Sequence, residues 1–114
     1  MKVLLVGDDP GTLRRLKSLV ETIDSVTFAA AAETVAEAER AVDRLEPDVV
    51  LFDVETKGGV GASRAHRLLG KVRPELIFVS ARDEFVREAL DLDAAGYLRK
   101  PVRLERLGAA MSRV

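Results

Sequence analysis

Asp48-Val49-Val50-Leu51-Phe52-Asp53, near the middle of the chain, is the segment around which the sequence is organised. Its four apolar residues run without polar alternation, which is typical of a strand buried on both faces of a parallel sheet. The run ends on Asp53 and enters a glycine-rich loop at residues 55–61. Because chemistry concentrates at the carboxyl ends of such strands, Asp53 is a candidate nucleophile or metal ligand. Aspartate also favours turns, so a simple loop-capping role stays open at this point.

The composition indicates one ordinary globular domain. The chain has 114 residues, is 47% hydrophobic and 32% charged, and carries a net charge of −1. A chain of that length can bury a hydrophobic core without disulfides or metal ions to stabilise it. The small net charge gives no reason to expect direct binding to nucleic acid or an anionic membrane. There is no cysteine, which excludes disulfides and thiolate metal sites and fits the cytoplasm. No apolar run approaches the roughly 20 residues that a membrane helix needs.

Apolar runs and helix signals alternate along the chain. Strands are predicted at residues 3–6, 26–30, 48–53, 76–79 and 96–98. Asp9-Pro10 opens the first helix, and a capping box at residues 34–37 opens the second, which ends before Pro47. Further helices are predicted near residues 62–69 and 84–92, and a last one carries an apolar stripe of Leu104, Leu107 and Met111. This fivefold strand–helix pattern predicts an α/β fold, a doubly wound parallel sheet.

Four polar residues stand at the ends of predicted strands and would share one rim of that sheet. They are Asp8, Asp53, Ser80 and Lys100. Two carboxylates suit Mg²⁺, and a hydroxyl and an ammonium group suit a phosphoryl group. Taken singly, Lys100 could be a solvated lysine and Ser80 an ordinary loop hydroxyl. Together the four residues predict phosphoryl transfer with Asp53 as the nucleophile, giving an aspartyl phosphate.

The chain resembles the receiver domain of two-component response regulators over essentially its whole length. The matching segments are residues 3–10, 47–53, 78–81 and 97–101. Residues 81–102 are most similar to receivers of the LytR/AlgR type. The resemblance implies a flavodoxin-like (βα)₅ sheet in strand order 2-1-3-4-5 and a single receiver domain at residues 1–114. Such receivers usually carry a C-terminal DNA-binding output domain, and none is expected within these residues, so DNA would be contacted only through an output domain outside them.

The resemblance also implies a site for phosphorylation. Asp53 would accept a phosphoryl group from a histidine kinase or a phosphotransfer protein. Asp8, Asp53 and the backbone carbonyl of Glu55 would bind Mg²⁺. The domain would not be an enzyme beyond phosphorylating itself from small acyl phosphates and removing its own phosphoryl group.

Three further residues would couple the site to a surface. Lys100 would pair with the phosphoryl group, and the Lys100-Pro101 peptide bond would be cis. Ser80 would move to hydrogen-bond a phosphoryl oxygen, and Tyr97 would change rotamer with it, although by itself Tyr97 suits a partly buried core position. The switching surface would be the face of the predicted fourth helix, fifth strand and fifth helix, through which the active state would form a homodimer.

The chain departs from the family pattern at two places beside this site. Gly7 stands where the family has the first of two acidic residues, which should weaken the attraction for Mg²⁺. Lys57 follows the acceptor where the family has a Met-Pro pair, and it adds a cation that could contact the phosphoryl group. Asp9 is better interpreted as a helix N-cap than as a replacement acid, and with Arg82 and Lys57 it is a candidate modulator of the site.

Three other functions fit the sequence less well or leave an alternative open. A dinucleotide site fails because residues 59–64 lack the third glycine and do not follow the first strand. A haloacid-dehalogenase-like phosphatase needs an aspartate two residues after the nucleophile, where this chain has Glu55. His66, the only histidine, has no orienting partner in the pattern and is expected to be inert. The serious alternative is a receiver-like interaction module that is not phosphorylated, with Gly7 as a sign of the lost reaction.

Overall fold

The computed structural model describes residues 1–54, 75–82 and 94–114. Its elements are β1 (Lys2–Val6), α1 (Pro10–Glu21), β2 (Phe28–Ala32), α2 (Val35–Leu45), β3 (Val49–Asp53), β4 (Glu75–Ser80), β5 (Gly96–Arg99) and a C-terminal helix (Leu104–Met111). The strands are parallel and lie in the order β2-β1-β3-β4-β5. This confirms the predicted doubly wound sheet. The helices predicted near residues 62–69 and 84–92, and His66, lie outside the described residues.

The central strands are buried because their side chains alternate between two apolar layers. All five residues of β3 are buried, as predicted. One layer joins the face that includes Val50, Phe52 and Phe78 to α2, and the other joins the face that includes Leu51 and Ile77 to α1 and the C-terminal helix. Phe52 and Phe78 meet edge to face, with ring centroids 6.3 Å apart. This double-sided core holds the carboxyl ends of the strands at fixed relative positions.

Both predicted helix starts are confirmed. Asp9 caps α1 by accepting from the Gly11 backbone N–H at 3.1 Å, and Pro10 occupies the first helical position. Thr34 caps α2 by accepting from the Glu37 backbone N–H at 3.1 Å. In both caps a side-chain oxygen satisfies a backbone donor that the helix itself leaves unpaired.

The end of α2 is also where the sequence predicts it. The helix ends at Leu45, and Glu46 adopts a left-handed conformation with φ of 48° before Pro47. The Glu46 backbone N–H still donates to the Val42 carbonyl at 3.0 Å. Because a residue before proline is excluded from the helical region, the chain turns here and enters β3.

Two details of the prediction were wrong. The second strand runs from Phe28 to Ala32 rather than over residues 26–30, because parallel pairing with β1 sets Lys2 opposite Phe28. Leu104 is 43% exposed and is not part of the core stripe, whereas Leu107 and Met111 are buried. Leu104 is the first residue of its helix, one turn before the part that packs on the sheet.

The described residues contain no helix that is long and apolar enough to cross a membrane.

Candidate functional site

The four polar residues predicted at strand ends lie on the same rim of the sheet. Asp53 ends β3 and is 3% exposed, and Ser80 ends β4 and is fully buried. Lys100 directly follows β5, while Asp8 lies two residues beyond β1 and is exposed. Because the strands are parallel and in register, all four side chains belong to the carboxyl edge of the sheet.

Asp53 and Lys100 form the central contact of this rim. The Lys100 Nζ lies 2.7 Å from the Asp53 Oδ2, and the side chains are 23% and 4% exposed. A carboxylate buried to this degree stays charged only where a cation or hydrogen bonds compensate for lost hydration. The Lys100 backbone N–H donates to the Ser80 carbonyl at 2.9 Å, and the Lys100-Pro101 bond is cis, as the resemblance implied. The ion pair with Asp53 and the main-chain hydrogen bond to Ser80 therefore both fix the position of Lys100.

Ser80 and Tyr97 are joined through the backbone of one residue, Arg82. The Arg82 N–H donates to the Ser80 Oγ at 3.0 Å, and the Tyr97 hydroxyl donates to the Arg82 carbonyl at 2.6 Å. Tyr97 is half-buried against the apolar layer that contains α2. Tyr97 therefore occupies a partly buried position and is also connected to Ser80. That connection runs through the main chain of Arg82.

Asp9 binds the start of its own helix. Its carboxylate accepts from the Thr12 hydroxyl at 2.7 Å as well as from the Gly11 N–H. The hydrogen bond from Thr12, followed by that from Gly11, holds the pKa of Asp9 below its usual value. The interpretation of Asp9 as an N-cap is confirmed.

Gly7 directly borders the acidic centre. A Cβ atom at Gly7 would lie 3.5 Å from the Asp53 Cβ and 3.3 Å from the Leu13 Cδ2. Gly7 has no left-handed backbone conformation that would demand glycine. A side chain at this position would therefore project beside Asp53 with only a small adjustment of Leu13.

The carboxylates fit a metal that takes few protein ligands. No group of three or more histidine, aspartate and glutamate side chains in the described ranges could hold a metal ion. Asp8 and Asp53 are the two carboxylates of the rim that could bind a metal ion. Mg²⁺ usually binds one or two carboxylates and completes its shell with water and phosphate oxygens. Glu55 and Lys57, two further residues predicted for the site, lie outside the described residues.

A group of arginines that the sequence pattern does not single out lies beside this site. Arg99, Arg103 and Arg106, together with Lys100, line a cavity of about 390 Å³ between the end of β5 and the start of the C-terminal helix. We call this cavity the arginine cleft. The only signal in the sequence is the spacing of the three arginines around Lys100-Pro101, which by itself is that of ordinary solvated charges.

Comparisons with known proteins agree on one family. The family model described as "Response regulator receiver domain" matches residues 3–112. The positive alginate biosynthesis regulatory protein of Pseudomonas aeruginosa is 40% identical over 115 residues, which cover 99% of this chain and 46% of that protein. The sensory transduction protein LytR of Staphylococcus haemolyticus is 31% identical over 115 residues, covering 100% of this chain and 45% of that protein. The chain thus spans about half the length of these relatives.

Solved structures agree with the fold. A response regulator receiver domain protein from Clostridium thermocellum superposes with a TM-score of 0.81 at 26% identity, covering 97% of this chain and 90% of that one. The signal receiver domain of a modulated diguanylate cyclase from Desulfovibrio desulfuricans superposes with a TM-score of 0.83 at 24% identity and the same coverage. The family model matches residues 3–112, the sheet is parallel, and the relatives are of the LytR/AlgR type. The chain therefore belongs to the response regulator receiver domains of two-component systems.

Proposed function

We propose that this receiver domain is a phosphorylation-dependent switch whose Asp53 accepts a phosphoryl group from a histidine kinase or a phosphotransfer protein. One observation carries the proposal: a carboxylate that is 3% exposed ends a central strand with the Lys100 Nζ at 2.7 Å. A buried, charge-compensated carboxylate at a strand end suits a nucleophile that must be fixed in place yet remain ionised.

The transfer would proceed by displacement at phosphorus. A carboxylate oxygen of Asp53 forms the new P–O bond while the P–N bond of the donor phosphohistidine breaks, and the imidazole nitrogen leaves with the bonding electrons. The protein contributes position and compensating charge, which is most of what phosphoryl transfer requires. Lys100 is already within hydrogen-bonding distance of the reacting carboxylate and would follow the charge onto the phosphoryl oxygens.

Asp8 and Asp53, with the backbone carbonyl of Glu55, would hold Mg²⁺. When bound, the ion would supply charge neutralisation between the acceptor and the incoming phosphoryl group. One carboxylate at the end of β3 and one just beyond the neighbouring strand β1 match the small number of protein ligands that Mg²⁺ accepts. Lys57 and Arg82 remain candidate modulators of this site.

Ser80 and Tyr97 would convert the added charge into a change of surface. A phosphoryl group brings about −1.5 to −2 units of charge to Asp53. For the Ser80 hydroxyl to turn toward it, the hydroxyl must give up the hydrogen bond from the Arg82 N–H. The Tyr97 hydroxyl is bound to the carbonyl of the same residue, so the two bonds form one two-state element.

The surface beside Tyr97 would carry the output. It comprises the predicted fourth helix, β5 and the C-terminal helix, and we propose that phosphorylation promotes a homodimer through it. The domain would act in the cytoplasm, without turnover beyond gaining and losing its own phosphoryl group. DNA would be contacted only through an output domain outside these residues. A phosphorylation-independent interaction module is the second candidate, favoured by Gly7 at the place of a family acid.

Intact-mass measurement tests the proposal. The chain is incubated with a small acyl phosphate and Mg²⁺, beside Asp53→Asn and, as the matched control, Asp43→Asn, which removes an exposed carboxylate of α2. We expect one phosphoryl group on the unsubstituted chain and on the control, none on Asp53→Asn, and none in excess chelator. An adduct on Asp53→Asn would contradict the assignment, and no adduct at any Mg²⁺ concentration would favour the phosphorylation-independent module.

A further inference from the structure

The arginine cleft gathers positive charge in a chain that is acidic overall. Side chains of residues 94–114 include five cations and a single carboxylate, whereas the whole chain has a net charge of −1. Arg99, Arg103 and Arg106 are exposed, and with Lys100 they surround about 390 Å³ of space. The remainder of the chain is therefore negative, so the cleft carries charge of the opposite sign.

Two of these arginines occupy positions that do not favour a cation. Arg103 is the N-cap of the C-terminal helix and makes no side-chain capping hydrogen bond, and Arg106 lies in the first turn. Positive charge at a helix N-terminus opposes the helix dipole, and arginine is a poor N-cap. Among the described residues, no carboxylate forms an ion pair with Arg103 or Arg106. A carboxylate bound here would offset the positive charge of Arg103 and Arg106 at the N-terminus of the helix.

The walls of the cleft also offer apolar contact. Tyr97, Leu98 and Pro101 lie between the arginines, and Leu104, which is 43% exposed, lies next to Arg103 on the chain. Tyrosine and arginine are the residues most enriched at the centres of protein interfaces. Nucleic acid would contact such a site mainly through phosphates, and the net negative charge of the rest of the chain would oppose a long polyanion.

We propose that the arginine cleft binds an acidic segment of a partner protein. Carboxylates of the segment would form forked, charge-assisted hydrogen bonds with the guanidinium groups of Arg103 and Arg106. An apolar side chain of the same segment would pack on Tyr97 and Pro101. The cleft would thus select a short sequence that alternates acidic residues with an aromatic or aliphatic one.

The cleft shares one residue with the acceptor site. Lys100 lines the cleft, and its Nζ is 2.7 Å from the Asp53 carboxylate. A ligand that changes the position of the Lys100 ammonium group would therefore be coupled to the charge on Asp53, and the coupling would act equally in both directions. The signalling role of the partner rests on the proposed phosphorylation of Asp53, whereas docking by charge and shape does not.

Fluorescence anisotropy with a labelled peptide tests the docking. The probe is a hexapeptide of five acidic residues around one phenylalanine, and the comparison probes are its glutamine-substituted form and a short DNA duplex. The variants are Arg103→Asp and, as the matched control, Arg113→Asp, which makes the same charge change beyond the end of the C-terminal helix. Because aspartate is a favourable N-cap, Arg103→Asp should raise the melting temperature, so lost binding cannot come from lost folding.

We expect the acidic peptide to bind and its glutamine form to bind at least tenfold more weakly. Arg103→Asp should weaken binding about tenfold or more, and Arg113→Asp less than twofold, as for a central and a peripheral interface residue. Equal losses in the two variants would overturn the proposal, as would tighter binding of DNA or no peptide binding. The titration uses the unphosphorylated chain, so its failure is distinct from a failure of Asp53 phosphorylation, which intact mass reports.

Discussion

Replacing Gly7 with aspartate should strengthen metal binding at the acceptor rim. Gly7 is buried, and its missing side chain would point past Leu13 toward Asp53. The nearest atom to a new Cβ is the Leu13 Cδ2 at 3.3 Å, the end of a flexible side chain that can shift by a few tenths of an ångström. We therefore expect the fold to accept the substitution at a cost of about 1 kcal/mol.

The size of the effect follows from the charges on the rim. The formal charges of Asp8, Asp53 and Lys100 sum to −1 on this rim. An aspartate at position 7 would place a further carboxylate beside Asp53 and bring that sum to −2. A unit charge pair at about 4 Å is worth about 4 kcal/mol near a protein surface before screening. Because Asp8 is exposed and water reaches this rim, we expect the smaller gain typical of residues near a metal, about 10–100-fold in Mg²⁺ affinity.

Calorimetric titration with Mg²⁺ at constant ionic strength measures the effect. The control is Gly7→Asn, which has nearly the same shape and meets the same Leu13 atom without adding charge. Gly7→Asp should also melt at a lower temperature than Gly7→Asn in chelator, because like charges then adjoin, and at a higher one in excess Mg²⁺. Equal Mg²⁺ affinities of the aspartate and asparagine variants would refute the reasoning, since the gain would not depend on charge.

Three further experiments test other contacts of the structure. Lys100→Met and Asp53→Asn in a double-mutant cycle should show a coupling of about 1–3 kcal/mol in urea unfolding, and a value near zero would mean that the 2.7 Å ion pair contributes nothing to stability. Thr34→Ala should lower the free energy of unfolding by about 1 kcal/mol through loss of the Glu37 cap, a loss that Thr34→Ser should largely avoid. Asp9→Ala should lower the melting temperature at neutral pH. Because the folded-state pKa of Asp9 is lowered, this stabilisation is present above its usual pKa of 3.8 and is lost as the pH falls through the folded value, so the two melting curves should converge in acid; a constant difference would contradict this cause.

The sheet and the rim could be predicted because each depends on local sequence. Runs such as residues 48–53 are short and rich in β-branched and aromatic residues, which favours a strand with both faces buried, and their carboxyl ends meet at one edge once the strands are parallel. The second strand was placed two residues too early because Val26 and Thr27 have higher strand propensity than the alanines of Phe28–Ala32. Pairing with β1, which no local pattern reports, decided its bounds.

The arginine cleft depends on contacts that the sequence does not display. Arg99, Arg103 and Arg106 have the i, i+4, i+7 spacing of one helix face, but no single helix contains them, because Arg99 ends β5 and the C-terminal helix begins at Leu104. They meet because β5 ends, the chain turns at Lys100-Pro101, and the C-terminal helix begins. Leu104 was misassigned for the same reason, since its exposure depends on where that helix first touches the sheet.

The turn at Lys100-Pro101 connects the two halves of the proposed mechanism. On one side of this turn the Lys100 Nζ lies 2.7 Å from Asp53, and on the other Arg103, the N-cap of the C-terminal helix, lines the cleft. A phosphoryl group on Asp53 would hold Lys100 more strongly at the acceptor and so remove part of its charge from the cleft. By reciprocity, an acidic partner that contacts Lys100 would favour the unphosphorylated domain. In this arrangement the state of Asp53 would reach the partner through the position of one ammonium group, in addition to the hydrogen bonds of Ser80 and Tyr97.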